Sequence, residues 1–175
     1  MAIQLTADDA KQSLTGHVET KGLEIFHKYG PQLGWTDLPR LLEDRVYVRY
    51  PCEIAFDSAP LLPGEFAQPV PKTERPEDGF TMYVHPIYMT QLDQVPALVL
   101  YQLVALNYGG FASSDDAESF GAAALGLTRD EYYDRICELA GQLGELGPEV
   151  LAAGHDDHGH DHGDCGCGGG GCGGH

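Results

Sequence analysis

The chain has 175 residues and carries 27 acidic against 10 basic side chains, a formal net charge of −17. Such a balance repels phosphate backbones and anionic lipid heads and attracts cations, which argues against nucleic acid or a membrane surface as a partner. Residues 154–175 contain only Gly, His, Asp and Cys, so any core must come from residues 1–153, a length that buries roughly 68–70% of its unfolded surface and that still carries 23 acids against 10 bases.

The opening 'MAIQLTADDAKQSL' has neither the basic n-region nor the apolar h-region of a secretory signal. A soluble, cytoplasmic protein is the expectation. Thr6, with an acid three residues on at Asp9, opens a first helix in the manner of a capping box. Leu14, Val18, Ile25 and Phe26 form its apolar stripe, Gly16 and Gly22 weaken it, and it stops at the 'YGP' of 29–31. A short helix follows over 36–43, with Pro39 in its first turn, where a missing N–H costs nothing.

'RVYVRYPCEIAFDS', residues 45–58, reads as extended chain broken at Pro51. Between Ala59 and Pro76 lie five prolines, too many for a central strand, so a surface loop with a short edge strand over 65–70 is expected. 'GFTMYVHPIY', residues 79–88, is the second strand candidate, and the set makes a small, mostly antiparallel sheet. Thr90 with Asp93 starts an apolar helix that ends at Gly109–Gly110. Its longest apolar run, around 95–106, is interrupted by Gln102 and too short to span a bilayer. Ser113 or Ser114 caps another helix to about Leu125, and Thr128 with Glu131 forms a capping box for a last one that fades near Gly147–Pro148. Helices, a few strands, then helices describe an α+β fold, mainly helical, in a single domain over 1–153 with a small antiparallel sheet and a disordered C-terminal tail over 154–175.

That tail, 'GHDDHGHDHGDCGCGGGGCGGH', holds ten Gly, five His, four Asp and three Cys, with no aliphatic or aromatic side chain to offset the entropy of ordering. Every side chain in it with chemistry is a candidate metal ligand: the imidazoles of His155, His158, His160, His162 and His175, the carboxylates of Asp156, Asp157, Asp161 and Asp164, and the thiols of Cys165, Cys167 and Cys172. Nitrogen and sulfur donors with auxiliary carboxylates suit nickel, zinc, cobalt or copper. Glycine between the donors lets the backbone wrap an ion without Cβ clashes. A structural zinc site presents C-x₂₋₄-C pairs on a fixed scaffold; here C-x-C precedes C-x₄-C with imidazoles in surplus, a set that exchanges among geometries and suits storage or hand-over. At 22 residues the tail spans roughly 25 Å (r.m.s.), beyond a body radius of gyration of roughly 15 Å. Cys52 and Cys137 stand apart in the body as small buried hydrophobes, and an odd, clustered set of thiols points to thiolate ligands over disulfides.

The run 'HDDHGHDHGDCGCGGGGCGGH' resembles the His/Asp/Cys/Gly-rich tails of nickel-handling accessory proteins, among them the prolyl-isomerase nickel chaperone, the urease nickel chaperone and the hydrogenase nickel-insertion GTPase. The resemblance covers these last residues alone. The body has no G-x₄-G-K-[ST] phosphate loop and no prolyl-isomerase pattern, so those activities are not carried over. What the resemblance implies is a role class: acquiring, buffering or donating a divalent transition metal, nickel favoured, for a client metalloenzyme or maturation protein.

Other signals in the body are weaker. Glu24 and His27 share a helix face at the spacing used by di-iron bundles, but no second Glu-x-x-His accompanies them, so a surface pair is the reading. Residues 122–136 have helix-turn-helix rhythm, yet a recognition helix there would present Asp130, Glu131 and Asp134 to phosphates. His85 reads as structural. The tyrosines of 83–88 and 101–108 suit a docking face or a core equally, and no catalytic constellation is legible. The leading expectation is a metal-trafficking accessory protein, a metallochaperone or metal store. The alternatives are an assembly subunit or regulator whose tail only senses or buffers metal, or a small enzyme with an unrecognised site.

Overall fold

The computed structural model describes residues 7–144, with side chains from residue 11. Five helices, α1 (Ala7–Tyr29), α2 (Leu38–Glu43), α3 (Val95–Tyr108), α4 (Ser114–Leu125) and α5 (Arg129–Gly144), accompany a sheet of three short strands, β1 (Cys52–Phe56), β2 (Ala67–Pro71) and β3 (Phe80–Val84). The α+β reading holds. The Thr6–Asp9 cap and the tail over 154–175 lie outside the described residues.

Helix α3 is the hub. Its sequence 'VPALVLYQLVALNY' is apolar over most of its circumference, which requires cover on all but the stripe of Tyr101, Gln102, Ala105 and Tyr108. The sheet and α4 pack against it, and Val95, Leu98, Leu100, Leu103 and Val104 are buried within one continuous core. It begins at Val95, later than the capping signal at Thr90 suggested, because a start at Thr90 would put Pro96 in the helix interior, without an N–H and against the preceding turn. Beginning at Val95 puts Pro96 in the first turn, and residues 86–90 form a 3₁₀ turn instead.

The sheet is mixed, which corrects the mostly antiparallel expectation. β3 lies in the middle, parallel to β1 (Cys52 beside Phe80, Phe56 beside Val84) and antiparallel to β2 (Ala67 beside Val84, Pro71 beside Phe80). The proline content decides this order. Pro69 and Pro71 leave β2 without two ladder donors, which only an edge strand tolerates, so the proline-free β3 takes the centre. Gly79 sets the entry to β3: its φ is +96°, and a Cβ there would stand 2.8 Å from the Pro51 carbonyl, whose oxygen accepts the Phe80 N–H at 2.7 Å.

The expected strand over 45–58 shrinks to β1. Its first half is captured by Asp44, whose main-chain oxygen accepts from the N–H groups of Tyr47 and Val48 (3.1 and 2.9 Å) while its carboxylate accepts from Val46 N–H (3.1 Å). A side chain that binds its own following backbone converts a strand-like pattern into a turn.

Helices α1 and α4 pack face to face through Val18, Gly22 and Ile25 on one side and Phe120, Ala123 and Ala124 on the other. Ser113 caps α4: its hydroxyl accepts from Asp116 N–H (3.3 Å) and the Asp116 carboxylate accepts from Ser113 N–H (2.9 Å). The Thr128–Glu131 box opens α5 as expected, with Thr128 N–H donating to Glu131 at 2.8 Å.

Candidate functional site

All of the sequence-predicted metal donors, from His155 to His175, lie outside the described residues. What it describes is the support for the helix that precedes them. The buried Tyr132 hydroxyl donates to the Ala97 carbonyl at 2.7 Å, and the Tyr88 hydroxyl donates to Leu139 at 2.7 Å. Gln91 donates to Gln142 at 2.8 Å. These bonds hold α5 to α3 and to the 3₁₀ turn almost as far as its last described turn.

Among the described residues no group of three or more His, Cys, Asp or Glu is placed to hold a metal ion. Glu24 is already paired with Lys21 at 2.8 Å, and the His27 ring packs against Phe26, so this step is a surface pair. His85 caps the 3₁₀ turn with Nδ1 accepting from Ile87 N–H at 3.3 Å, and burial lowers its pKa, which keeps the ring a neutral acceptor. Burial pushes the Cys52 thiol up to about 11, far from the thiolate form at neutral pH. Cys137 corrects the expectation of a buried hydrophobe: it is exposed, on the solvent side of α5, where the helix period carries it away from buried Tyr132, Ile136 and Leu139.

The turn between α4 and α5 serves packing. Gly126, at φ +67°, sits over the Phe26 ring, where a Cβ would come within 2.3 Å. Arg129 is held by Glu118 at 2.7 Å and by Asp115, while Asp130, Glu131 and Asp134 face solvent, the wrong sign for a phosphate-reading helix. Of the tyrosines offered as docking groups, Tyr88 is fully buried, Tyr101 and Tyr108 are half-buried against the core, and Tyr83 is half-buried.

The concave feature with the most chemistry was not anticipated as a site. A cleft of about 230 Å³ opens between α1, the Asp44 turn and the C-terminal end of α3, lined by His17, Lys21, Arg45, Tyr47, Arg49 and Tyr108, with Val46 and Asn107 completing it. Five of the chain's ten basic residues fall between positions 21 and 49, and that clustering in so acidic a chain was the available signal. It was masked because 'RVYVRY' alternates like a strand, which would have sent its two arginines along one sheet face.

No protein-family model matches the chain, and neither a curated protein nor a solved structure is detectably similar to it.

Proposed function

We propose that the chain is a cytoplasmic metal-trafficking accessory protein that binds a divalent transition metal through residues 154–175 and delivers it to a client metalloenzyme or maturation protein. Nickel is favoured. The observation that carries the reading is the donor run itself, five imidazoles and three thiols spaced by glycine and aspartate in a stretch with no apolar side chain. The acidic composition of residues 1–153 supports it by raising the local cation concentration. So does the anchoring of α5, the last described helix before the donor segment in the chain. Hand-over proceeds by ligand exchange: a tail imidazole or thiolate leaves the ion as a client ligand takes its place, so the ion is never released to water.

The test is a competition titration of the full chain with nickel, zinc, cobalt and copper against a chromophoric chelator, under reducing conditions, beside a chain ending at Ala153. Stoichiometric binding in the full chain, lost on truncation, is the expected result. Association no tighter than millimolar for every ion refutes the reading. Delivery is tested separately in cells at limiting metal, where loss of residues 154–175 should leave the client under-metallated. Metallation that survives the truncation sinks delivery by the tail.

A further inference from the structure

The cleft beside the Asp44 turn has a charge pattern that the rest of the body does not require. Lys21 is balanced by Glu24, and Lys28 engages Asp44, the residue that precedes Arg45. Arg45 and Arg49 have no carboxylate within ion-pair distance among the described residues. Lys11, Arg40 and Arg135 are likewise without one, but Arg45 and Arg49 bring two such charges to the lining of a single cleft. Arg49 lies over the Tyr50 ring at 5.2 Å, and Arg45 donates to the Val48 carbonyl at 3.3 Å, contacts that orient each group without neutralising it.

The backbone that carries them is fixed from Val46 to Arg49. Val46, Tyr47 and Val48 donate to Asp44, and Arg49 N–H donates to the Asn107 side-chain oxygen at 2.9 Å. The Asn107 amide donates in turn to the Tyr47 carbonyl at 2.7 Å, and Val48 is fully buried beneath the turn. Asn107 is itself buried at the end of α3. A buried amide with both ends engaged, clamping a basic turn over a cavity, is pre-organisation of the kind that lowers the entropic cost of binding.

From this we infer that the cleft binds a small organic dianion, a dicarboxylate or a phosphate monoester, between Arg45 and Arg49. Two uncompensated charges set the ligand's charge at two. Guanidinium forks match the paired oxygens of carboxylate and phosphate. At about 230 Å³ the cleft falls below the roughly 300–1,000 Å³ of drug-sized pockets, which sets the ligand below the size of a nucleotide. His17, whose ring meets Tyr108 edge-on at 5.9 Å, and Lys21 border the rim and supply further donors. The inference is independent of metal binding by the tail, since no probe in its test is a metal.

The experiment is a calorimetric titration of the full chain, freed of metal on a chelating resin, with malonate, phenyl phosphate and inorganic phosphate at constant ionic strength. Acetate is the monoanion reference. At least one dianion should bind about tenfold or more tightly than acetate, and Arg45→Gln and Arg49→Gln should each weaken it by about tenfold or more, as expected for loss of a charge-assisted hydrogen bond. Malonate alone identifies a dicarboxylate site and the phosphates alone a phosphate-ester site. Arg75→Gln, which removes an exposed partner of Asp78 elsewhere, should change nothing. The inference is overturned if acetate matches the dianions, if Arg75→Gln weakens binding as much as the cleft variants, or if no dianion binds more tightly than about 10 mM. It is overturned equally if a peptide of residues 154–164 binds the cleft and the small dianions do not. Because both arginines are exposed, the variants should melt at the parent temperature, which separates loss of ligand from loss of fold.

Discussion

Substituting alanine for glycine at two positions of α1 should move stability in opposite directions. At Gly16 a Cβ meets nothing within 4 Å, and the residue is exposed, so Gly16→Ala gains helix propensity alone, about 0.8–1.0 kcal/mol. At Gly22 the same atom would stand 2.5 Å from the Phe120 carbonyl oxygen, 2.8 Å from the Ala123 Cβ and 3.1 Å from the Ala124 amide nitrogen. Two of these three neighbours are backbone of α4 and the third is a Cβ, so no rotamer change relieves the contact; α1 has to move away from α4. Overpacking costs about 1–3 kcal/mol, and two contacts under 3.0 Å with atoms that cannot rotate away place this site in the upper part of that range, about 2–3 kcal/mol; subtracting the propensity gain of about 1 kcal/mol leaves Gly22→Ala destabilised by about 1–2 kcal/mol. The two variants should therefore differ by about 2–3 kcal/mol for one identical chemical change. Denaturant unfolding followed by far-ultraviolet circular dichroism reads the difference directly, provided the m-values agree. In a thermal melt, at about 2–4 °C per kcal/mol for a chain of this size, Gly22→Ala falls by about 2–8 °C and Gly16→Ala rises by about 2–4 °C. If Gly22→Ala melts at or above the parent, close α1–α4 approach does not need a glycine and the packing argument fails.

Three further outcomes follow from other groups. Burial by itself would raise the pKa of Asp116, but hydrogen bonds from Ser113 N–H, Thr15 and the Ser113 hydroxyl hold its carboxyl below the usual carboxylate range, so its contribution is present above about pH 4 and is lost as pH falls through the depressed pKa. Asp116→Asn should cost about 1–3 kcal/mol at pH 7, and the gap to the parent should narrow as pH falls below about 4; a gap that stays constant with pH in denaturant titrations refutes this. Asn107→Ala leaves the Arg49 N–H and the Tyr47 carbonyl without partners, so unfolding measurements should show a loss of about 2–4 kcal/mol together with weaker dianion binding; an unchanged midpoint would mean that the turn holds itself. Under brief alkylation at pH 8, peptide mapping should find Cys137 modified and Cys52 intact, because one thiol is exposed and the other is half-buried against the core and held protonated; comparable labelling of Cys52 contradicts its placement.

Where the local chain carried the whole instruction, reading it was enough. Ser113, Gly126 and the Thr128–Glu131 pair bound α4 and α5 through contacts within four residues, and such boundaries are written in adjacent letters. The chemistry of residues 154–175 is compositional and needs no fold to be legible. Other features depended on partners distant in sequence. Gly22 reads as a weak point of α1 until α4 is laid against it, when it becomes the residue that lets the two backbones approach. Cys137 falls on the exposed side of α5 because Tyr132, Ile136 and Leu139 face the core, a choice of face made by α3 and the turn before it.

What the amino-acid order determined by itself was the order of the elements, the caps of α4 and α5 and the donor run, all set by propensity, hydrogen bonding and composition within a few residues. Only the tertiary structure decided which strand lies in the middle of the sheet and that Arg45 and Arg49 face a cleft instead of lining a strand. Asn107, 58 residues after Arg49 in the chain, clamps the turn that carries them. A buried amide has to find its partners wherever folding brings them, and no local pattern announces which those will be.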